Sequence, residues 1–221
     1  MLETLGHLLP IAVAVAISSV PIMATVLILL SPNRNRSALP FLLGWLAGIA
    51  IVITFFAVAA YALPAPTTKK PEYLAGIALI IVGAGLVILG IVNWRRSAGK
   101  PIGTGPKWLQ AVGRLGPWSS LALALGLNLR PKSILLGAAG GIFLANPSLS
   151  RASSVAVLVI YSVVAASTVG APIIATLIAP NEMEKKLLAV RNWMEKNNKV
   201  ISLLIAIMIG IFIIGYGMTR L

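Results

Sequence analysis

Leu125-Gly-Leu-Asn-Leu-Arg-Pro-Lys-Ser-Ile-Leu-Leu-Gly137 decides how this chain is read. Two cations, Arg130 and Lys132, flank a proline inside an otherwise uncharged apolar run from about Leu115 to Ser150. A cation at the centre of a membrane span costs about 2.5–3.5 kcal/mol. The run still has to be a span: a helix starting after Lys132 leaves too few residues before Asn146-Pro147 to cross. On an unbroken helix, residues two apart point to nearly opposite sides, so one cation would face lipid. Pro131 removes a backbone hydrogen bond and displaces the carbonyl one turn earlier. A break there lets Arg130 and Lys132 share a polar cavity with Asn128 and Ser133. The alternative is that one or both cations snorkel or bond freed carbonyls.

Working outward, the rest of the chain supports a bilayer setting. It is 58% apolar and only 10% charged over 221 residues. Soluble domains carry about a quarter charged residues. Charge-free runs at Leu5–Asn33, Ser37–Thr68, Tyr73–Trp94, Ala152–Asn181 and Val200–Thr219 each exceed the roughly 18–20 residues that cross a hydrocarbon core. With the run around Pro131 they predict six helices near 6–30, 37–62, 73–93, 118–144, 152–178 and 199–219. The first run lacks a basic leader region and a small-residue cleavage site, so it is not expected to be a secretory signal.

The expected fold is therefore all-α and integral to the membrane, one transmembrane domain over 1–221. It reads as two inverted three-helix repeats, about 1–94 and 118–221, joined by a cytoplasmic loop at about 95–117. Helices 1 and 4 are interrupted at Pro21 and Pro131. Arg36 and Arg151 precede helices 2 and 5, and Gly85/Gly90 in helix 3 match Gly210/Gly215 in helix 6. Inverted repeats with broken helices are a construction of secondary transporters. Twelve Lys and Arg fall in the loops after helices 1, 3 and 5, against four on the other side. That bias places both termini outside the cytoplasm, with the protein in the plasma (inner) membrane. The segment from Pro180, with Met183, Leu187, Val190 and Met194 at helical spacing, reads as an amphipathic helix on the cytoplasmic face. Trp108, Leu109, Val112, Leu115 and Trp118 suggest a shorter one, and Gly99–Lys107 a mobile loop.

Composition also excludes. There is no cysteine, so thiol redox and zinc-thiolate chemistry are out. The acidic residues are Glu3, Glu72, Glu182, Glu184 and Glu195, none within a predicted span. No carboxylate proton relay, metal site or cofactor is expected, and no nucleophile–base pair marks an enzyme. The net charge of +13 fits loops meeting anionic headgroups rather than nucleic acid. An anionic group is the natural ligand of the cavity, gripped by Arg130 in bidentate fashion. Ser18, Ser19, Pro21 and Thr25 of helix 1, and Tyr161, Ser162, Ser167 and Thr168 of helix 5, are candidates to line it. Each polar residue equally suits helix–helix contact.

Ser18-Ser-Val-Pro-Ile-Met-Ala-Thr-Val-Leu-Ile-Leu-Leu-Ser-Pro32, followed by Ala38-Leu-Pro-Phe-Leu-Leu-Gly-Trp-Leu-Ala-Gly48, resembles the opening of the sulfolipid- and glycopeptidolipid-addressing proteins of actinobacteria. That family is grouped with the lysine-exporter superfamily. The Pro131-Lys132 segment resembles its helix 4 element, where Asn-Pro-Lys is usual. Two positions depart: Arg130 stands where Asn is usual, and Ser19 where a first proline is common. The resemblance implies export of an envelope glycolipid or peptidolipid, by the chain itself or as an accessory to a larger lipid transporter. It adds membrane lipids, the amphiphilic substrate and a further copy of the chain as partners. Two other readings stay open: a small-molecule exporter of the amino-acid type, told by a narrow occluded cavity rather than a groove open laterally to lipid, and a non-transporting scaffold, told by a tightly packed interior with no cavity and a large exposed small-residue face.

Overall fold

A computed structural model describes residues 2–62, 70–97, 111–145 and 149–219. Every regular element among them is helical. Eight α-helices follow in order: α1 Leu2–Ala16, α2 Ser19–Leu29, α3 Arg34–Ala62, α4 Lys70–Ser97, α5 Pro117–Asn128, α6 Pro131–Leu144, α7 Arg151–Ile178 and α8 Pro180–Met218. A short 3-10 turn covers Val112–Arg114. Three helices, α3, α4 and α7, are singly long and apolar enough to cross a bilayer, and the α1–α2 pair, bent by 50°, counts as a fourth when taken as one broken span. Helix α6 and the Leu203–Met218 part of α8 are apolar but shorter.

Both interruptions have local causes. Residues before proline are pushed out of the helical region. Arg130 duly adopts φ −72°, ψ 147°, and Pro131 opens α6 at its first position, where a missing N–H costs nothing. The other break falls at Ile17–Ser18, three residues ahead of Pro21, with Ser18 extended at φ −93°, ψ 113°. Pro21 is the third residue of α2, still among the N–H groups that have no partner within the helix.

Register along α3 fixes the level of the α5–α6 break. Ser37 donates to the Leu115 carbonyl at 2.7 Å. Gly44 abuts Leu121 and Ala124, Gly48 abuts Asn128, Val52 faces Gly137, and Phe56 and Ala57 face Gly141. The α5–α6 pair thus runs parallel to α3 over the stretch from Ser37 to Ala57, about 30 Å, which is one hydrocarbon thickness. Arg130 lies about halfway. Helices α4 and α8 pack antiparallel through Gly83 against Gly210, Gly217 against Gly76, and Gly90 against Ala206. A Cβ on Gly83 would come within 2.7 Å of the Gly210 carbonyl, so the close approach requires glycine.

The buried core includes Trp45, Tyr161, Phe41, Leu8, Ile11 and Ile173. The outer faces are equally apolar: Ile51, Phe55, Ile81, Val163, Met208 and Ile211 are each more than 60% exposed. No aqueous surface would carry such a belt, so lipid covers it.

Three expectations change. The expected separate amphipathic helix and helix 6 are one continuous α8 of 39 residues, about 58 Å long. No Gly or Pro lies between Pro180 and Gly210 to stop it. The expected interfacial helix into helix 4 does not run through: Leu115 and Gly116 are extended ahead of Pro117. Its Trp108 and Leu109, with Gly99–Lys107, lie outside the described residues. The matched glycine pairs are not equivalent, since Gly90 packs on Ala206 whereas Gly215 meets open space.

Candidate site at the broken helix

Two spaces meet the α5–α6 break, on opposite sides of it. The inner one is lined by Val15, Ile49, Val52, Asn128, Ser133, Gly137 and Tyr161, and amounts to only about 10 Å³. That is room for about one water molecule. The outer one is an open groove of about 450 Å³ lined by Ala122, Leu123, Gly126, Leu127 and Arg130. These five residues share one face of α5 and its extension, since they recur at helical spacing.

The structure therefore divides the residues that sequence grouped together. Arg130 is exposed on the groove side. Asn128, only 3% exposed, and Ser133 face inward with Tyr161. Lys132 is half-buried on the first turn of α6 and lines neither space. No carboxylate lines either space: the five acidic residues are Glu3, Glu72, Glu182, Glu184 and Glu195, and those of α1 and α4 sit in the first turns of their helices.

Two of the remaining candidates, Ser133 and Thr168, bond carbonyls freed at the breaks, and others bond carbonyls of their own helices. The Asn128 amide donates to the Ala124 carbonyl at 3.0 Å, and the Ser133 hydroxyl to the Leu127 carbonyl at 3.3 Å. Leu127 lies in the last turn of α5, where carbonyls lose their helical partners, whereas Ala124 lies one residue ahead of that turn. At the other break the Thr168 hydroxyl, from α7, donates to the carbonyl of Ala16, the last residue of α1. Thr25 returns its hydroxyl to the Pro21 carbonyl at 2.8 Å, and Ser167 to Val164 at 2.8 Å. Ser18 is buried at the α1–α2 junction, and Ser19 opens α2. Ser162 is buried with no partner for its hydroxyl, as are Ser120 and the Trp45 indole N–H.

Sequence reasoning missed Gly126 and Ala122, which form the groove floor. Their signal was faint: a small residue on each turn before a mid-span arginine. No cluster of three or more His, Cys, Asp or Glu occurs among the described residues. His7 instead stacks on Phe143 (5.3 Å, 6°) with Tyr216 beside it at 4.0 Å.

Together the lipid-facing belt, the paired helix breaks and the cationic groove define a membrane-embedded helical protein with a polar break exposed on its flank. The chain belongs to the family of Sap, the sulfolipid-1-addressing protein, whose pattern it matches over residues 8–219. Comparison with curated proteins and with solved structures returned no match.

Proposed function

We propose that the chain helps deliver an anionic, amphiphilic envelope lipid outward across the plasma membrane, with Arg130 at the α5–α6 break receiving the charged group and Lys132, two residues on, adding positive charge beside it. The carrying observation is Arg130 itself. It is exposed about halfway along a span-length path, in a chain with no carboxylate there to neutralise it. Leaving it bare costs about 2.5–3.5 kcal/mol. A charge-assisted hydrogen bond returns about 1.5–3 kcal/mol, so an anionic ligand of the family's substrate class offsets the cost.

The architecture in this reading is six spans in two inverted halves, with α1–α2 and α5–α6 as the broken first span of each, as in the lysine-exporter superfamily. Helix contacts support it by their mirror pattern. Helix α3 packs on α5 and α6 as α7 packs on α1 and α2, and α4 meets α6 as α8 meets α2. The basic loops then face the cytoplasm and both termini lie outside. The open groove favours a lipid over an amino-acid substrate, because the inner space holds only about one water. A larger lipid transporter fits as the partner that supplies energy, since the spans lack a carboxylate relay.

The near-solid interior also favours a second reading, a non-transporting organiser of a lipid-export complex. Outer-envelope lipid profiles of cells with and without the protein test both. Loss of an anionic glycolipid or peptidolipid from the surface, with its accumulation inside, is expected. An unchanged profile removes either role.

A further inference from the structure

Gly126 has no packing reason to be glycine. A Cβ there would meet nothing within 4 Å, as at Gly6 and Gly215, whereas one on Gly44, Gly48, Gly83, Gly137, Gly141 or Gly210 would collide with a facing atom. Alanine is worth up to about 1 kcal/mol over glycine in a helix, and Gly126 stands in the last turn of α5. Unlike Gly6 and Gly215, Gly126 lines the groove that ends on Arg130, where something other than protein can approach the backbone. Gly126 lies one turn before Arg130 and one turn after Ala122, on the face that floors the groove. Leu123 and Leu127 form its apolar flank. The result is a smooth track about 12 Å long that ends on an unneutralised guanidinium.

We propose that this track is a lateral binding site for an anionic lipid. The charged group pairs with Arg130, the adjoining apolar segment lies over Gly126 and Ala122, and the remainder of the lipid stays in the bilayer. The inference rests on the reading that Arg130 receives an anionic group, and adds that recognition occurs on the flank of the bundle. A second copy of the chain is a poor occupant. Its glutamates lie at 3, 72, 182, 184 and 195, so it brings no carboxylate to this depth. A lipid supplies both the anion and the apolar chain.

The absence of cysteine makes the test clean. Ser119 is exposed one turn ahead of Leu123 and does not line the groove, so Ser119→Cys accepts a single fluorophore beside the track rather than in it. The labelled full-length protein is placed in phosphatidylcholine nanodiscs doped with chain-brominated phosphatidic acid or, at equal mole fraction, chain-brominated phosphatidylcholine. Quenching by the phosphatidic acid is expected to be several-fold greater. Arg130→Gln should erase that preference, and Gly126→Leu should reduce quenching by both lipids. Gly126→Ala, which should raise thermal stability, keeps the test open if the leucine variant does not fold. Equal quenching by the two lipids overturns the proposal. So does the absence of quenching with energy transfer between differently labelled copies, which would mean a second copy covers the track. If lipid preference is absent while Arg130→Gln/Lys132→Gln still abolishes export, the lateral site falls and the export reading stands. If that double variant exports normally, both fall.

Discussion

Thr168 reaches across from α7 to hold the carbonyl of Ala16, a residue 152 positions away in sequence. In hydrocarbon that carbonyl has no water to turn to, so the hydroxyl is worth more than an ordinary surface bond. Thr168→Val should lower the melting temperature of the detergent-solubilised protein, by an equivalent of about 1–2 kcal/mol, while Thr168→Ser should retain most of the stability. Ser162 is the opposite case. Its hydroxyl is buried without a partner, so Ser162→Ala should leave stability unchanged or raise it by about 1 kcal/mol in the same assay. A loss of lipid export in a stable Ser162→Ala would instead assign that hydroxyl to a ligand. At this scale sequence was informative where chemistry was conspicuous. Arg130 and Lys132 stand out because charge is rare in an apolar run. The role of Thr168 was illegible, because any threonine in a membrane helix reads as packing until its partner is known. Gly126 was illegible for the same reason: only the empty space above it separates it from the glycines that pack.

Helices were the most legible level. Charge-free runs located their bounds to within a few residues, because solvation in lipid is decided residue by residue along the chain. Prolines marked the two breaks, although the first break falls three residues before Pro21 rather than at it. Sequence failed at α8, where the change from polar to apolar composition suggested two helices. That change marks where the surroundings alter, and a helix ends only where its backbone hydrogen bonds do. Glycine spacing also misled, since Gly85/Gly90 and Gly210/Gly215 match as letters but not as contacts. The α4–α8 seam depends on Gly83 and Gly210 instead. Gly83→Leu or Gly210→Leu should destabilise the protein by about 1–3 kcal/mol through overpacking. Gly215→Ala, facing open space, should be neutral or slightly stabilising. Thermal unfolding of the three variants side by side checks the seam, and equal effects would mean that α4 and α8 do not meet this way.

For the whole molecule, the proposed six-span layout and the basic-residue asymmetry together predict which loops face the cytoplasm. In a chain without cysteine, Asn33→Cys should react with an impermeant maleimide only after the membrane is opened. Ser150→Cys, exposed at the start of α7, should react in intact spheroplasts. The reverse pattern would invert the protein and move the groove to the other leaflet. The division of the break into an inner water-sized space and an outer groove lay beyond sequence. It depends on which way Arg130 turns once α5 has ended, and no pattern of letters encodes that.

The account turns on the two cations at the α5–α6 break. Surface export of the envelope lipid, measured in cells carrying Arg130→Gln/Lys132→Gln at wild-type abundance in the membrane, tests it most directly. The account predicts that export falls at least tenfold, and that Arg130→Lys with Lys132 intact restores part of it. Wild-type export by the double glutamine variant would contradict it.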